Sequence, residues 1–463
     1  MSVDRVIAGA DVFIDGRLRP LDILVDQGRI AGIVDRSASV TLEAREVVDA
    51  NGLTAIPGCI DVHVHTREPG YTHKEDIATC TQAAAAGGIT TIFGMPNLDP
   101  PTMTRQDLQQ VLALYAEKSF VDYNHNPAAK LLDELQPMAE MGIAAYKIYM
   151  VVDTGRSYPH PSAIGVQDHG ELYRVMRIVA NLGLRLMVHP HDQSIMNVIE
   201  QEYLSTGDRS PEAYAKTLAA HDGLIWDTAV ATLLRLAEAT GCPLHLVHTQ
   251  TRQSIDMIRR AKARGVDVSC EVNHWTLFLA RWEDILEQGP YVLSYWVPDD
   301  AREAVWEGIN DGTIDMLASD HAPHTREEKD IGYQDMWAAH TGTPGIQYQV
   351  PLLLDAVSKA QLSFERLVEM TSMAPARIFG LRHKGSLAPS SDADIALVDR
   401  NYTWTIKNDS VLSKIGWTPY DGRECRGNVA RTLVRGADVW AKGDIVGMAG
   451  RGKHVRPSRG AGQ

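Results

Sequence analysis

Ile56-Pro57-Gly58-Cys59-Ile60-Asp61-Val62-His63-Val64-His65 decides how this chain is read. It is an apolar run that reads as one buried strand closed by a His-x-His pair. Side chains alternate faces along a strand, so His63 and His65 point the same way from an otherwise oily ribbon. Two such imidazoles are either core residues hydrogen-bonded to backbone or ligands of one metal, and the second reading requires more ligands downstream.

Outward from that strand the pattern is strand, loop, helix, repeated. Lys74 to Ala86 reads as a helix, followed by Gly87-Gly88 and the apolar run Ile89 to Met95. Leu184 to Val188, Leu244 to Val247, Val266 to Cys270 and Ile314 to Ala318 each follow an amphipathic stretch ending near glycine. Such alternation predicts parallel strands, and this many of them predict an α/β fold of the (β/α)8 TIM-barrel type. His63, His65, Asn97, His189, His248 and Asp320 all fall at the downstream end of a predicted strand. In a barrel those ends converge on one mouth, where active sites are built.

The two ends of the chain read differently. Arg5 to Ala8, Asp11 to Ile14, Leu21 to Val25 and Ile30 to Val34 are short β-type runs between Gly and Asp turns, and similar runs return in Ala393 to Val398, Thr403 to Ile406, Thr432 to Val434 and Asp438 to Trp440. The expected organisation is a small β-sandwich from residues 1–54 and 378–446 around a barrel of residues 55–377. Residues 447–463, with Arg451, Lys453, Arg456, Arg459 and five glycines, read as a flexible basic tail.

The chain has 463 residues, with 45 Lys plus Arg against 59 Asp plus Glu and a formal net charge of -14. That balance argues against nucleic acid or an anionic membrane as the main partner and favours a small solute. The five cysteines, Cys59, Cys80, Cys242, Cys270 and Cys425, are scattered and lack C-x-x-C spacing, which fits a reducing compartment without a disulfide framework. With no apolar window near ~20 residues and no basic-then-apolar start, a cytoplasmic protein is expected.

Lys147 sits in Ala144-Ala145-Tyr146-Lys147-Ile148-Tyr149-Met150, a strand-like run in which an inward ammonium is costly to desolvate. Either the side chain snorkels outward, or bound cations hold the amine neutral so that it adds carbon dioxide to give a bridging carbamate. Val188-His189-Pro190-His191 and His245-Leu246-Val247-His248 end two further strands. His189 and His248, each followed by loop and helix-start residues, are the preferred ligands. His191 and His245 are left with supporting, substrate-facing or plain core roles. Asp320 follows Ile314 to Ser319 and places a carboxylate where a strand gives out. Together His63, His65, Lys147, His189, His248 and Asp320 make a nitrogen and oxygen set suited to zinc, with manganese, iron or cobalt able to replace it.

Pro57 to Gly70, then Lys74-Glu75-Asp76, Met95-Pro96-Asn97 and Ser319-Asp320-His321-Ala322-Pro323-His324, resemble the cyclic amidohydrolases, most closely dihydroorotases, with allantoinases and hydantoinases nearby. The resemblance spans nearly the whole chain, split β-sandwich included. It implies two divalent metal ions, with His63, His65 and Asp320 on one, His189 and His248 on the other, and carboxylated Lys147 with a hydroxide bridging both. It further implies Asp320 as general acid and base, Arg67, Asn97 and His324 as holders of the substrate carboxylate, and a homodimer or homotetramer.

Two stretches depart from the dihydroorotase pattern. Residues 271–276 and 294–300 replace a Pro-His-His run and an Asn-Pro-Pro-Leu-Arg loop, bringing Trp275 and Trp296, which would enlarge an apolar lining if they faced the mouth. Asp153 to Asp168 is a long irregular insertion that suits a lid. The expected activity is therefore ring-opening hydrolysis of a cyclic amide or ureide, dihydroorotase-like. An allantoinase- or hydantoinase-like catabolic enzyme is the alternative, and a non-catalytic scaffold relative the remote one.

Overall fold

The computed structural model describes residues 2–39, 43–152, 161–292 and 299–458. Trp296 and the first half of the proposed lid, residues 153–160, lie outside them.

The stretch expected as one strand is two. Thr54–Pro57 pairs antiparallel with Ile395–Val398, and a new strand begins at Cys59. Gly58 is the crossing point: its N–H donates to Asp394 O at 2.8 Å, and a Cβ there would lie 2.3 Å from Thr90 Oγ1. No side chain fits between strand and neighbour, so the chain changes domain at its one bare residue. The strand paired with the sheet thus ends at Pro57 and the next begins at Cys59.

Eight parallel strands follow: β1 (Cys59–Val64), β2 (Ile89–Gly94), β3 (Asp122–His125), β4 (Ala145–Tyr149), β5 (Arg185–His189), β6 (Leu244–Leu246), β7 (Val268–Val272) and β8 (Met316–Leu317). Neighbours pair in parallel from β1 to β3 and from β4 to β8. Bridges Ala128↔Lys147 and Val64↔His321 close the ring between β3 and β4 and between β8 and β1. The barrel is packed rather than hollow below its mouth: Ile60, Val62, Phe93, Met95, Met187, Val247 and Met316 fill it, and Phe379 and Leu381 plug its far end. At about 1.5–3 kcal/mol for each such side chain fully buried, this plug is a large share of what fixes the ring.

Helix α1 (Ile77–Ala86) starts three residues later than its periodicity suggests, because Asp76 caps it by accepting from Thr79 N at 2.9 Å. Its alanine-rich surface lets it pack close between barrel and sheet, and at its end a Cβ on Gly87 would lie 2.5 Å from Ile346 O.

The chain termini do form one β domain, and its strands run as a single ten-stranded sheet joined through Thr54–Pro57 and Ile395–Thr405. Its core gathers Ile7, Val12, Ile23, Ile30, Ile395, Leu397 and Leu433 from both ends of the sequence. The basic segment expected as a free tail is docked as far as residue 458. Lys453 O accepts from Tyr123 N at 3.0 Å, Val455 N donates to Tyr123 O at 2.9 Å and Ser458 N donates to Gly380 O at 2.9 Å. The reason is β3, whose outer edge offers backbone groups that this segment satisfies. All five cysteines are buried and unbridged, and no described helix is long and apolar enough to cross a membrane.

Candidate active site

The first strand carries His63 to the mouth, and Asp61, two residues earlier, ties it to the last. The Asp61 carboxylate accepts from His63 N at 3.2 Å, from Ser319 N at 3.1 Å and from Gln349 Nε2 at 2.9 Å. Burial pushes its pKa up to about 6, against these hydrogen bonds. Asp61 therefore sets the spacing between the His-x-His pair and Asp320.

Asp320 Oδ1 lies 3.3 Å from His63 Nε2 and 3.1 Å from His65 Nε2. Each imidazole is oriented from behind. His63 Nδ1 donates to Glu271 Oε1 at 2.5 Å, and His65 Nδ1 donates to Asn97 Oδ1 at 2.7 Å. With both Nδ1 atoms carrying the proton, two Nε2 lone pairs and a carboxylate oxygen face one another, an arrangement that a cation reconciles. Burial holds His65 down at about 4, so its ring is neutral near pH 7. Burial disfavours the Asp320 anion too, but His63, His65 and Lys147 outweigh it and keep the carboxyl below its usual range.

Across the mouth, His248 Nε2 and His189 Nδ1 are 2.8 Å apart, and the His63 and His248 rings are 6.0 Å apart between centroids. Lys147 lies on β4 facing inward. It is fully buried, its Nζ makes no hydrogen bond among the described residues, and it stands 5.1 Å from the Tyr149 ring centre. Burial lowers its amine to about 8, while Glu271 and Asp320 pull the other way. A buried amine with no hydrogen bond among the described residues and within electrostatic reach of two carboxylates is compatible with the expected metal-bridging position. The snorkelling alternative does not hold.

The main residue missed in the sequence is Glu271. It is fully buried on β7, and its second oxygen accepts from His245 Nε2 at 3.0 Å. Burial opposes its ionisation, but His63 and His245 overcome this and hold it well below the carboxylate range. His245, whose Nδ1 is 2.8 Å from Ser269 Oγ, is thus a support for Glu271. His191 stacks edge-on against Trp226 with centroids 3.8 Å apart and borders a cavity of about 250 Å³ with Met150 and Gln193. Trp275 is buried in one apolar cluster with Tyr214, Trp226 and Trp337.

Three of these residues are held at positive φ: Arg67 at 60°, His248 at 39° and Asp320 at 45°. Such conformations cost free energy in non-glycine residues and concentrate where geometry serves chemistry. Arg67 is buried, donates from Nε to Pro323 O at 3.3 Å and from Nη2 to His324 Nε2 at 3.1 Å, and forms no ion pair with a carboxylate among the described residues. Lys74 and Glu328 flank His324, with Lys74 Nζ 2.9 Å from Glu328 Oε1. Asn97, expected beside Arg67 on substrate, has its oxygen engaged by His65.

A second acidic cluster, Asp122, Asp392 and Asp394, lies toward the sheet domain. Its centre is already filled by the Lys384 ammonium, at 2.5, 3.1 and 2.5 Å from the three carboxylates.

Residues 54–446 match a family model described as the amidohydrolase family. A dihydroorotase of Methanosarcina acetivorans is 34% identical, covering 98% of this chain and 96% of the relative. An allantoinase of Rubrobacter xylanophilus is 33% identical over 99% of both. Among solved structures, the L-hydantoinase (dihydropyrimidinase) from Arthrobacter aurescens superposes with a TM-score of 0.92 at 28% identity, covering 98% of this chain and 100% of that one.

Proposed function

We propose, from the premise that this chain belongs to the amidohydrolase family, that its substrate is a cyclic amide or ureide carrying a carboxylate, opened in the manner of a dihydroorotase. The reaction class, hydrolysis of a carbon–nitrogen bond in a cyclic amide, is that of its relatives. The observation that carries the substrate reading is Arg67. A buried guanidinium with no carboxylate partner among the described residues is expensive, and an anionic ligand relieves that cost.

His63, His65 and Asp320 would hold one divalent ion, His189 and His248 another, with Lys147 as carbamate between them. Bound there, such ions make water acidic enough to ionise near neutrality and polarise a carbonyl. The protein's own part is proton handling and orientation. Asp320 accepts the proton of the attacking water as the C–O bond forms, then delivers it to the ring nitrogen as the C–N bond breaks, so the leaving group departs neutral. Glu271 and Asn97 keep the two imidazoles facing inward throughout. Arg67 and His324 anchor the ring's carboxylate and so aim the scissile bond.

Dihydroorotate, allantoin, hydantoin and dihydrouracil should be assayed with and without chelator. Turnover of the carboxylate-bearing ring, lost on chelation and in Asp320→Asn, is the expected result. Full activity in Asp320→Asn would end this mechanism. Opening only of uncharged rings would favour the hydantoinase-like reading, which the L-hydantoinase superposition supports.

A further inference from the structure

Residues 408–421 leave the sheet domain and lie against the barrel mouth at three points. Ser413 Oγ donates to Glu75 Oε2 and Lys414 N to Glu75 Oε1 at 3.2 Å. Trp417 Nε1 donates to His324 O at 2.9 Å, and Tyr420 OH is 2.5 Å from His274 Nδ1. Ser413, Trp417 and Tyr420 are all buried, so this is a packed contact. Glu75 in turn accepts from His321 Nε2 at 3.2 Å, which links the same segment to the residue after Asp320.

The consecutive carbonyls of Pro323 and His324 are both engaged, one by Arg67 of the barrel and the other by Trp417 of this segment. Pro323 O accepts a hydrogen bond from Arg67 Nε at 3.3 Å, and His324 O accepts one from the indole N–H of Trp417 at 2.9 Å. An indole N–H is a donor with no alternative role, and this one spends itself on the peptide that orients His324. His324 Nε2 then meets Arg67 Nη2 at 3.1 Å. The guanidinium is thereby held by a turn that the other domain pins from behind.

We propose that residues 408–421 act as a clasp, with Trp417 a positioning residue that fixes His324 and Arg67 and so sets affinity for the substrate's anionic group. This rests on the carboxylate reading of the site given above.

The test is Trp417→Phe, which keeps an aromatic ring and removes the N–H. KM and kcat are measured on dihydroorotate and on the carboxylate-free dihydrouracil, alongside metal content and melting temperature. The expected result is a KM for dihydroorotate raised about tenfold, the scale of one lost hydrogen bond to a well-ordered group, with kcat and the dihydrouracil parameters unchanged. An unaltered KM for dihydroorotate, or equal losses on both rings, overturns the clasp. Should Trp417→Phe not fold, Ser413→Ala is read by the same split, with the same two results overturning it. A wild-type enzyme with no preference for the charged ring removes the carboxylate reading and the clasp together. A preference untouched by either variant removes the clasp alone.

Discussion

Glu271 Oε1 lies 2.5 Å from His63 Nδ1, joining the seventh barrel strand to the first through one buried proton. That contact fixes which nitrogen of His63 faces the mouth. Replacing Glu271 with Gln removes the anion while keeping the shape. Metal affinity should fall by about 10–100-fold, as for other partners behind a ligating histidine. Competition with a chromophoric chelator measures it, and unchanged affinity would show that His63 is not oriented through Glu271.

Lys147 titrates at about 8 in its buried setting. Its neutral amine, the form that adds carbon dioxide, therefore grows as pH rises through that value and is scarce well below it. In metal-free enzyme with ¹³C-bicarbonate, the carbamate signal should increase from about pH 6.5 to about pH 8.5 and be absent in Lys147→Met. A pH-independent signal would contradict the assignment.

Arg67→Met removes the only fixed charge proposed for the substrate's carboxylate. A charge-assisted hydrogen bond contributes about 1.5–3 kcal/mol, so kcat/KM on dihydroorotate should drop by roughly 10–150-fold or more while dihydrouracil is little affected. Steady-state kinetics on both rings decide it.

Lys384 sits among Asp122, Asp392 and Asp394 in the contact between barrel and sheet. Lys384→Met leaves buried carboxylates facing one another and should cost about 3–5 kcal/mol in urea unfolding. A change below 1 kcal/mol at neutral pH would mean the cluster is solvated in solution.

The barrel, the split sheet and the metal-ligand candidates were legible because each left a periodic or motif signal. His63-x-His65, Lys147 inside an apolar run and Asp320 at a strand end are all polar residues where the pattern demands apolar ones. β3 was not legible. Asp122-Tyr123-Asn124-His125 looks like loop, since partners that satisfy its polar groups, among them Lys384, Arg435, Val455 and Thr102, lie far away in sequence. Glu271 carried the same signal as Lys147, a lone charge in the apolar run Val268–Val272. Its partner His245 became visible only in space. The docked segment 447–458 is hidden for the complementary reason: it is held through backbone groups, which composition does not reveal.

The most direct check is metal content and turnover measured on one preparation of purified enzyme. A pair of divalent ions per chain is expected, with ring opening lost as they are stripped and restored in proportion as zinc is returned. Undiminished ring opening by metal-free protein would contradict a metal-dependent centre built from His63, His65, Lys147, His189, His248 and Asp320.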